Sequence, residues 1–187
     1  MVDIETTGSD NHDLNAMIQL AAIKFNAETG EIGGTFNRCL AIPPKRFWAE
    51  DTRTWWMNQN REVFNSIIAR MEDPGTVMRD YVAFATSDGP LRFWAKPIAF
   101  DYGFVQSYCN EFGLPMPHHY RTARDLNTYI AAQAGGFSHV DMPHIKVDGN
   151  AHDALVDCVY QLKCLFAARD KQWAGSVQDA QFEDVPA

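Results

Sequence analysis

The sequence predicts an α/β domain: a mixed five-stranded sheet, made of a three-stranded antiparallel meander with parallel strands added to it, and helices on both faces. Three observations predict it. Residues 1–42 hold three β-compatible runs joined by short polar turns, the pattern of a meander. Residues 51–85 place apolar side chains at helical spacing. From residue 91 onward, short apolar runs alternate with helix-period segments, the pattern of βα units.

In order, Val2, Asp3, Ile4 and Glu5 alternate apolar and acidic, the period of a strand. Asp3 and Glu5 therefore share one face, roughly 7 Å apart, and Thr6-Thr7-Gly8 ends the strand in a turn. A central strand usually has more residues before its functional end, so either this strand is short or the natural chain starts earlier. Residues 11–15 are polar loop, residues 17–25 the second strand and residues 35–42 the third, stopped by Pro43 and Pro44. Asp51 or Thr52 is the expected N-cap of a helix reaching Gln59, and Asn60 that of a second helix over 61–70. Asp73-Pro74-Gly75 resets the chain before a third helix over 77–85. Residues 91–95, short and apolar, read as a buried fourth strand. A helix over 100–112 puts Phe104, Val105, Tyr108 and Phe112 on one face and ends at Gly113. Residues 119–122 read as a short fifth strand, 125–134 as a helix, 135–150 as a loop, and 151–173 as holding the last long helix. The domain is expected to span 1–174, with 175–187 a polar, acidic tail.

The net charge of −8 argues against a protein that coats nucleic acid by charge alone. It leaves room for an enzyme that grips a few phosphates through bound cations, because acids are then the ligands. No stretch approaches the roughly 20 apolar residues of a membrane span, and no basic-plus-apolar leader is present. Cys39, Cys109, Cys158 and Cys164 form no Cys-x-x-Cys pair and read as reduced, buried and cytosolic.

Three places carry candidate chemistry. Asp3 and Glu5 repel each other unless something positive sits between them, and a hard, oxygen-seeking ion such as Mg²⁺ fits; a strand with two solvated acids fits as well. Asp101 stands at a helix start, where an acid also complements the helix dipole. His152 and Asp157 stand five residues apart, about 500° of helical rotation. They converge only if His152 lies in the entering loop and Asp157 in the first turns, which Gly149 permits. Asp157 lies among Val156, Cys158 and Val159, where a carboxylate needs a partner. The alternative is a solvated helix face on which Asp153 and Asp157 are four residues apart. Four carboxylates and one His are what two-metal phosphodiester cleavage requires, with the His as proton acceptor.

In this order and spacing, Asp3-Ile4-Glu5-Thr6-Thr7-Gly8, Phe100-Asp101-Tyr102-Gly103-Phe104 and His152-x4-Asp157 resemble the three exonuclease motifs of the DEDDh (DnaQ-like) 3′→5′ exonucleases. Asp51-Thr52-x-x-Trp55-Trp56-x-x-Gln59 and Arg124-Asp125-Leu126-Asn127-Thr128 resemble the branch of phage exonuclease VIII-like proteins and small bacterial 3′ exoribonucleases. The resemblance implies a ribonuclease H-like fold and a hydrolase that releases nucleoside 5′-monophosphates from a free 3′ end of DNA or RNA. It implies two Mg²⁺ or Mn²⁺ ions per site. Asp3, Glu5 and Asp157 would hold one, Asp3 would bridge to the second, Asp101 would act directly or through water, and His152 would be the general base. Thr6 and Thr7 would face the terminal nucleotide, and Phe104 would join the substrate-binding set. A homodimer in a bacterial or phage-infected cytoplasm follows by resemblance only. The chain departs from many relatives in lacking an Asn shortly before Asp101, where Ala95-Lys96-Pro97-Ile98 stands, and from the branch in having Asn127 where Arg is common.

Of the adjacent Trp55 and Trp56, one is expected in the core and the other free to stack on a base; Trp56, with Gln59 one turn on, is taken as the base-facing one. His12, His118, His119, His139 and His144 read as surface or loop residues. Two other readings keep the fold: a catalytically silent nucleic-acid-binding module, and a proofreading subunit working within a polymerase.

Overall fold

β1 (Val2–Thr6), β2 (Met17–Phe25) and β3 (Ile32–Leu40) form the expected antiparallel meander. The computed structural model describes residues 1–136 and 144–171. The expected tail, the expected helix end at 173 and His139 lie outside the described residues. The helices are α1 (Glu50–Asn58), α2 (Arg61–Ala69), α3 (Pro74–Thr86), α4 (Ile98–Glu111), α5 (Leu126–Gln133) and α6 (Ala154–Arg169). Among the described residues, no helix is long and apolar enough to cross a membrane.

The sheet corrects the five-stranded expectation. A short strand, β4 (Met71–Glu72), adds parallel to β3, giving a four-stranded sheet in the order β1-β2-β3-β4. β5 (Trp94–Ala95) and β6 (Arg124–Asp125) form a separate parallel pair, with β5 lying beside β1. The expected strand over 119–122 is a 3₁₀ turn, Tyr120–Thr122, because local bonds satisfy its backbone. The Arg121 amide donates to His119 Nδ1 and the Thr122 amide to the His119 carbonyl, leaving nothing for a ladder until Arg124.

Caps follow the local chemistry. Asn60 and Asp73 accept from the backbone amides of Glu62 and Thr76, starting α2 and α3. α1 differs: its N-cap is Ala49, not Asp51 or Thr52, and the Ala49 amide is held by the Thr7 carbonyl. A tertiary bond to the end of β1 thus sets where α1 begins.

The sheet has a packed core on each face. Val2, Ile4, Leu20 and Ala22 face α3 and α4, where Tyr81, Phe104 and Tyr108 are fully buried. Ala21 and Ile23 face α5 and α6, against Leu126, Ile130, Leu162 and Leu165. A third cluster joins Ile18 and Cys39 to Trp56, Val63 and Ile67 of α1 and α2. Where the β1–β2 register shifts between Glu5 and Thr6, Ile18 is the extra residue. Such a bulge sharpens the local twist, here at the acid-bearing end of β1.

His118, read as a surface or loop residue, lies in the loop after α4 but is buried in the core. It is 5 % exposed, bonded through Nε2 to the Tyr81 hydroxyl at 3.0 Å, and packed edge-on against Phe93. His12 is half-buried and packs against Phe104, with ring centroids 4.8 Å apart.

Candidate active site

The strand period decides where β1 sends its acids. Val2 and Ile4 enter the α3/α4 core, so Asp3 and Glu5 point to the opposite face, toward α6. Glu5 is 8 % exposed. Asp3 accepts a bond of 2.6 Å from Gln161 Nε2 on α6.

The start of α6 brings the third motif to the same place. Asp153 is the N-cap, its carboxylate accepting the Leu155 amide, and Asp157 falls in the first turn. Gln19 of β2 anchors this end through its Oε1, which accepts the Ala154 amide at 3.2 Å. Gly149, at φ +124°, lets the chain pass under Val156: a Cβ there would lie 2.6 Å from Val156 Cγ2. His152 adopts the left-handed conformation, φ 65°, and its backbone amide donates to Asp157 Oδ2 at 3.1 Å. That conformation is uncommon for a residue with a Cβ, and the Asp157 bond helps hold it. One ligand atom each from Glu5, His152 and Asp157 then lie within 4.8 Å of one another.

Asp101 enters from α4, in its first turn. It is 2 % exposed, and its Oδ2 has no hydrogen-bond partner among the described residues. The acids raise one another. Burial, then the Asp157 charge, pushes the Asp3 carboxyl well above the usual carboxylate range, while the Gln161 bond pulls it back. Burial, then the Asp3 charge, does the same to Glu5 and to Asp101. Burial raises Asp157, opposed by the His152 amide. Lys96 supplies nearby positive charge that favours the ionised forms of Asp3 and Asp157.

These residues fit divalent cations. A buried carboxylate oxygen without a partner is costly, and four mutually repelling carboxylates with a half-buried imidazole offer the hard oxygen donors that Mg²⁺ and Mn²⁺ prefer.

The expected substrate residues fare differently. Thr7 is fully buried: its hydroxyl donates to the Phe47 carbonyl and accepts the Ala16 amide, its amide donates to the Ala16 carbonyl, and its carbonyl accepts the Ala49 amide. Both hydrogen-bond donors of Thr7 are thus engaged within the fold. Thr6, 8 % exposed, turns its hydroxyl to the Gly8 carbonyl. Phe104 is fully buried in the α4 core and offers no face to a ligand. Trp56 is corrected too: it is 3 % exposed and its indole N–H donates to the Thr6 carbonyl at 3.0 Å, so it is a core residue. Its neighbour Trp55 is the open one, 39 % exposed and packed edge-on against the His152 ring. Gln59 is half-buried at the C-cap of α1.

Two residues at the site escaped the sequence reading. Gln161 follows Asp157 by four, the spacing that puts two side chains on one helix face, and that was its available signal. Gln19 faces Glu5 across the β1–β2 ladder, and only the pairing register reveals it.

The fold is shared with solved nucleases of low identity. The structure of cell-death related nuclease 4 (CRN-4) superposes with a TM-score of 0.65 at 16% identity, over 93% of this chain and 63% of that one. The nuclease domain of 3′hExo, described as a DEDDh family member bound to rAMP, gives 0.58 at 13% identity, over 91% of this chain and 90% of that one. E. coli Exonuclease I in complex with a dT13 oligonucleotide gives 0.65 at 15% identity, over 91% and 41%. The chain thus spans less than two thirds of CRN-4 and of Exonuclease I. These likenesses establish the fold as ribonuclease H-like, that of the DEDDh exonucleases. No curated protein matches the chain. The family described as the Rv2179c-like 3′-5′ exoribonuclease domain matches residues 1–168, nearly the whole chain. With that match and its motifs Asp3-x-Glu5, Asp101 and His152-x4-Asp157 on a DEDDh fold, the chain belongs to the Rv2179c-like family of 3′→5′ exonuclease domains.

Proposed function

We propose that the chain is a metal-dependent 3′→5′ exonuclease that removes nucleoside 5′-monophosphates from a single-stranded end or 3′ overhang. The observation that carries this reading is the convergence of Glu5, His152 and Asp157 within 4.8 Å, beside Asp101 with its partnerless buried oxygen. Asp3, Glu5, Asp101 and Asp157 would hold a pair of Mg²⁺ or Mn²⁺ ions. When bound, such ions supply positive charge to the phosphate oxygens and lower the pKa of a water.

The chain's own residues do the rest. His152, with its backbone tied to Asp157 and its ring braced by Trp55, takes the proton of the attacking water. The water oxygen forms a bond to the terminal phosphorus as the bond to the preceding 3′ oxygen breaks. That oxygen takes up a proton from solvent, and the released nucleotide keeps its 5′-phosphate. Lys96 adds a positive charge near Asp3 and Asp157 from the segment just before α4, where it attracts the scissile phosphate. With a net charge of −8, affinity for the strand comes from this local positive charge rather than from a basic surface. RNA is the first substrate to try, because the family is described by exoribonuclease activity. We propose a homodimer as well, on the resemblance to relatives of this size alone.

The test is to incubate the purified chain with Mg²⁺ or Mn²⁺ and 5′-labelled RNA and DNA oligonucleotides. Progressive shortening from the 3′ end is expected. No shortening of either polymer refutes the reading.

A further inference from the structure

We propose that Gln161 is a positioning residue, whose side-chain N–H fixes the rotation of the Asp3 carboxylate and so reserves its second oxygen for a divalent cation. The inference rests on the metal-dependent reading above and adds to it a residue outside the three motifs.

The contact is short and directed. Gln161 Nε2 lies 2.6 Å from Asp3 Oδ1. The side-chain amide is oriented by physics: reversed, it would set an oxygen against a carboxylate oxygen at that distance. Gln161 is carried by α6, one turn after Asp157, on a helix packed against β2 by Leu162 and Leu165. A single rigid element therefore holds Asp157 as a carboxylate and Gln161 as the group that aims Asp3, and ties both to β1. Groups set on rigid elements keep the tight geometry that ligation needs.

The other end of the amide is what separates a positioning role from ordinary packing. Gln161 is 4 % exposed, and its Oε1 is buried without a partner among the described residues. A buried acceptor without a donor costs stability. An apolar side chain of similar length would remove that cost, and of the α6 positions three and four residues away, Cys158, Cys164 and Leu165 belong to the buried core. Packing alone therefore favours an apolar residue at this position, and the Asp3 contact is what the amide provides in return. Partners that hydrogen-bond metal-ligating side chains are worth about 10- to 100-fold in metal affinity.

The experiment is Gln161→Met, with Gln161→Leu as a second variant of different shape, each compared with wild type. Mn²⁺ is titrated calorimetrically without oligonucleotide, and thermal unfolding is measured in EDTA. The expected result is a metal-free Tm equal to or above wild type together with a Mn²⁺ Kd raised about 10- to 100-fold. Wild-type uptake of Mn²⁺ with an unchanged Kd in the variants overturns this role alone. So does a loss of affinity accompanied by a matching fall in metal-free Tm, which marks a merely structural residue. A wild-type chain that takes up no Mn²⁺ overturns the metal-dependent reading and this role with it.

Discussion

Trp55 meets His152 edge to face, with ring centroids 4.7 Å apart and ring planes at 80°. Trp55 in turn stands edge-on to Trp56, which is bonded to the Thr6 carbonyl. A row of three rings thus links the end of β1 to the residue that enters α6. The two tryptophans hold opposite places in it, one open and one in the core.

That difference separates their variants. Trp55→Ala frees the His152 ring at little cost to the core, so kcat/KM should fall about 10- to 100-fold while the urea midpoint stays close to wild type. Trp56→Ala empties a buried site and removes an indole hydrogen bond, at about 3–5 kcal/mol of stability. Urea unfolding and initial-rate assays on both check the assignment; a larger stability loss at Trp55 than at Trp56 would reverse it.

His152→Ala removes the proposed proton acceptor but leaves the backbone bond to Asp157 available. Its kcat should drop by about 10²- to 10⁴-fold, with Mn²⁺ still bound. Asp157→Ala removes a proposed ligand and the acceptor of the His152 amide together, so both rate and Mn²⁺ affinity should fall. Calorimetry beside the oligonucleotide assay distinguishes the two. A His152→Ala enzyme of normal rate would take that residue out of the mechanism.

The acid cluster makes metal-free stability depend on pH. Asp3, Glu5 and Asp101 all have carboxyl pKa values raised in the fold, chiefly by burial. The folded state therefore binds more protons than the unfolded one between the ordinary carboxylate range and the raised values. This contribution is fully present below about pH 4 and is lost as pH rises through the raised values. In EDTA, Asp101→Asn should gain Tm relative to wild type as pH increases, and saturating Mn²⁺ should close that gap. Parallel Tm-against-pH curves for the two proteins would contradict the argument.

His118 gives the opposite slope. Burial lowers its pKa to about 4 from the usual 6.5, so the imidazole is neutral in the fold. Here the unfolded state binds the extra proton, and stability is lost as pH falls from about 6.5 toward 4. Between pH 7 and pH 4.5 the loss attributable to this one group is about 2 kcal/mol. Urea unfolding at the two pH values should show a smaller difference in His118→Gln than in wild type.

Much of the candidate site was legible in the residues. Alternation in Val2-Asp3-Ile4-Glu5 requires both acids on one face, and β1 delivers them there. The five-residue step from His152 to Asp157 requires a loop residue paired with a first-turn residue, and α6 starts at Ala154 between them. The caps at Asn60 and Asp73 were readable because a cap is a bond within a few residues of chain. The choice between Trp55 and Trp56 was not, since the helix positions three and four residues from each are all polar and mark neither side of α1 as the buried one. The 3₁₀ turn at Tyr120–Thr122 and the start of α1 at Ala49 escaped as well.

What the sequence determined by itself is whatever depends on chain periodicity and near neighbours: the antiparallel meander, the helices, the shared face of Asp3 and Glu5, and the motif order that marks the family. What only the tertiary structure decided is whatever depends on groups far apart in the chain. The Thr7 carbonyl places Ala49, the Thr6 carbonyl takes the Trp56 indole, and Gln161 reaches Asp3 across 158 residues. The physical reason is that a buried polar group must find a partner wherever the packed chain provides one, and sequence spacing carries no record of which one that is.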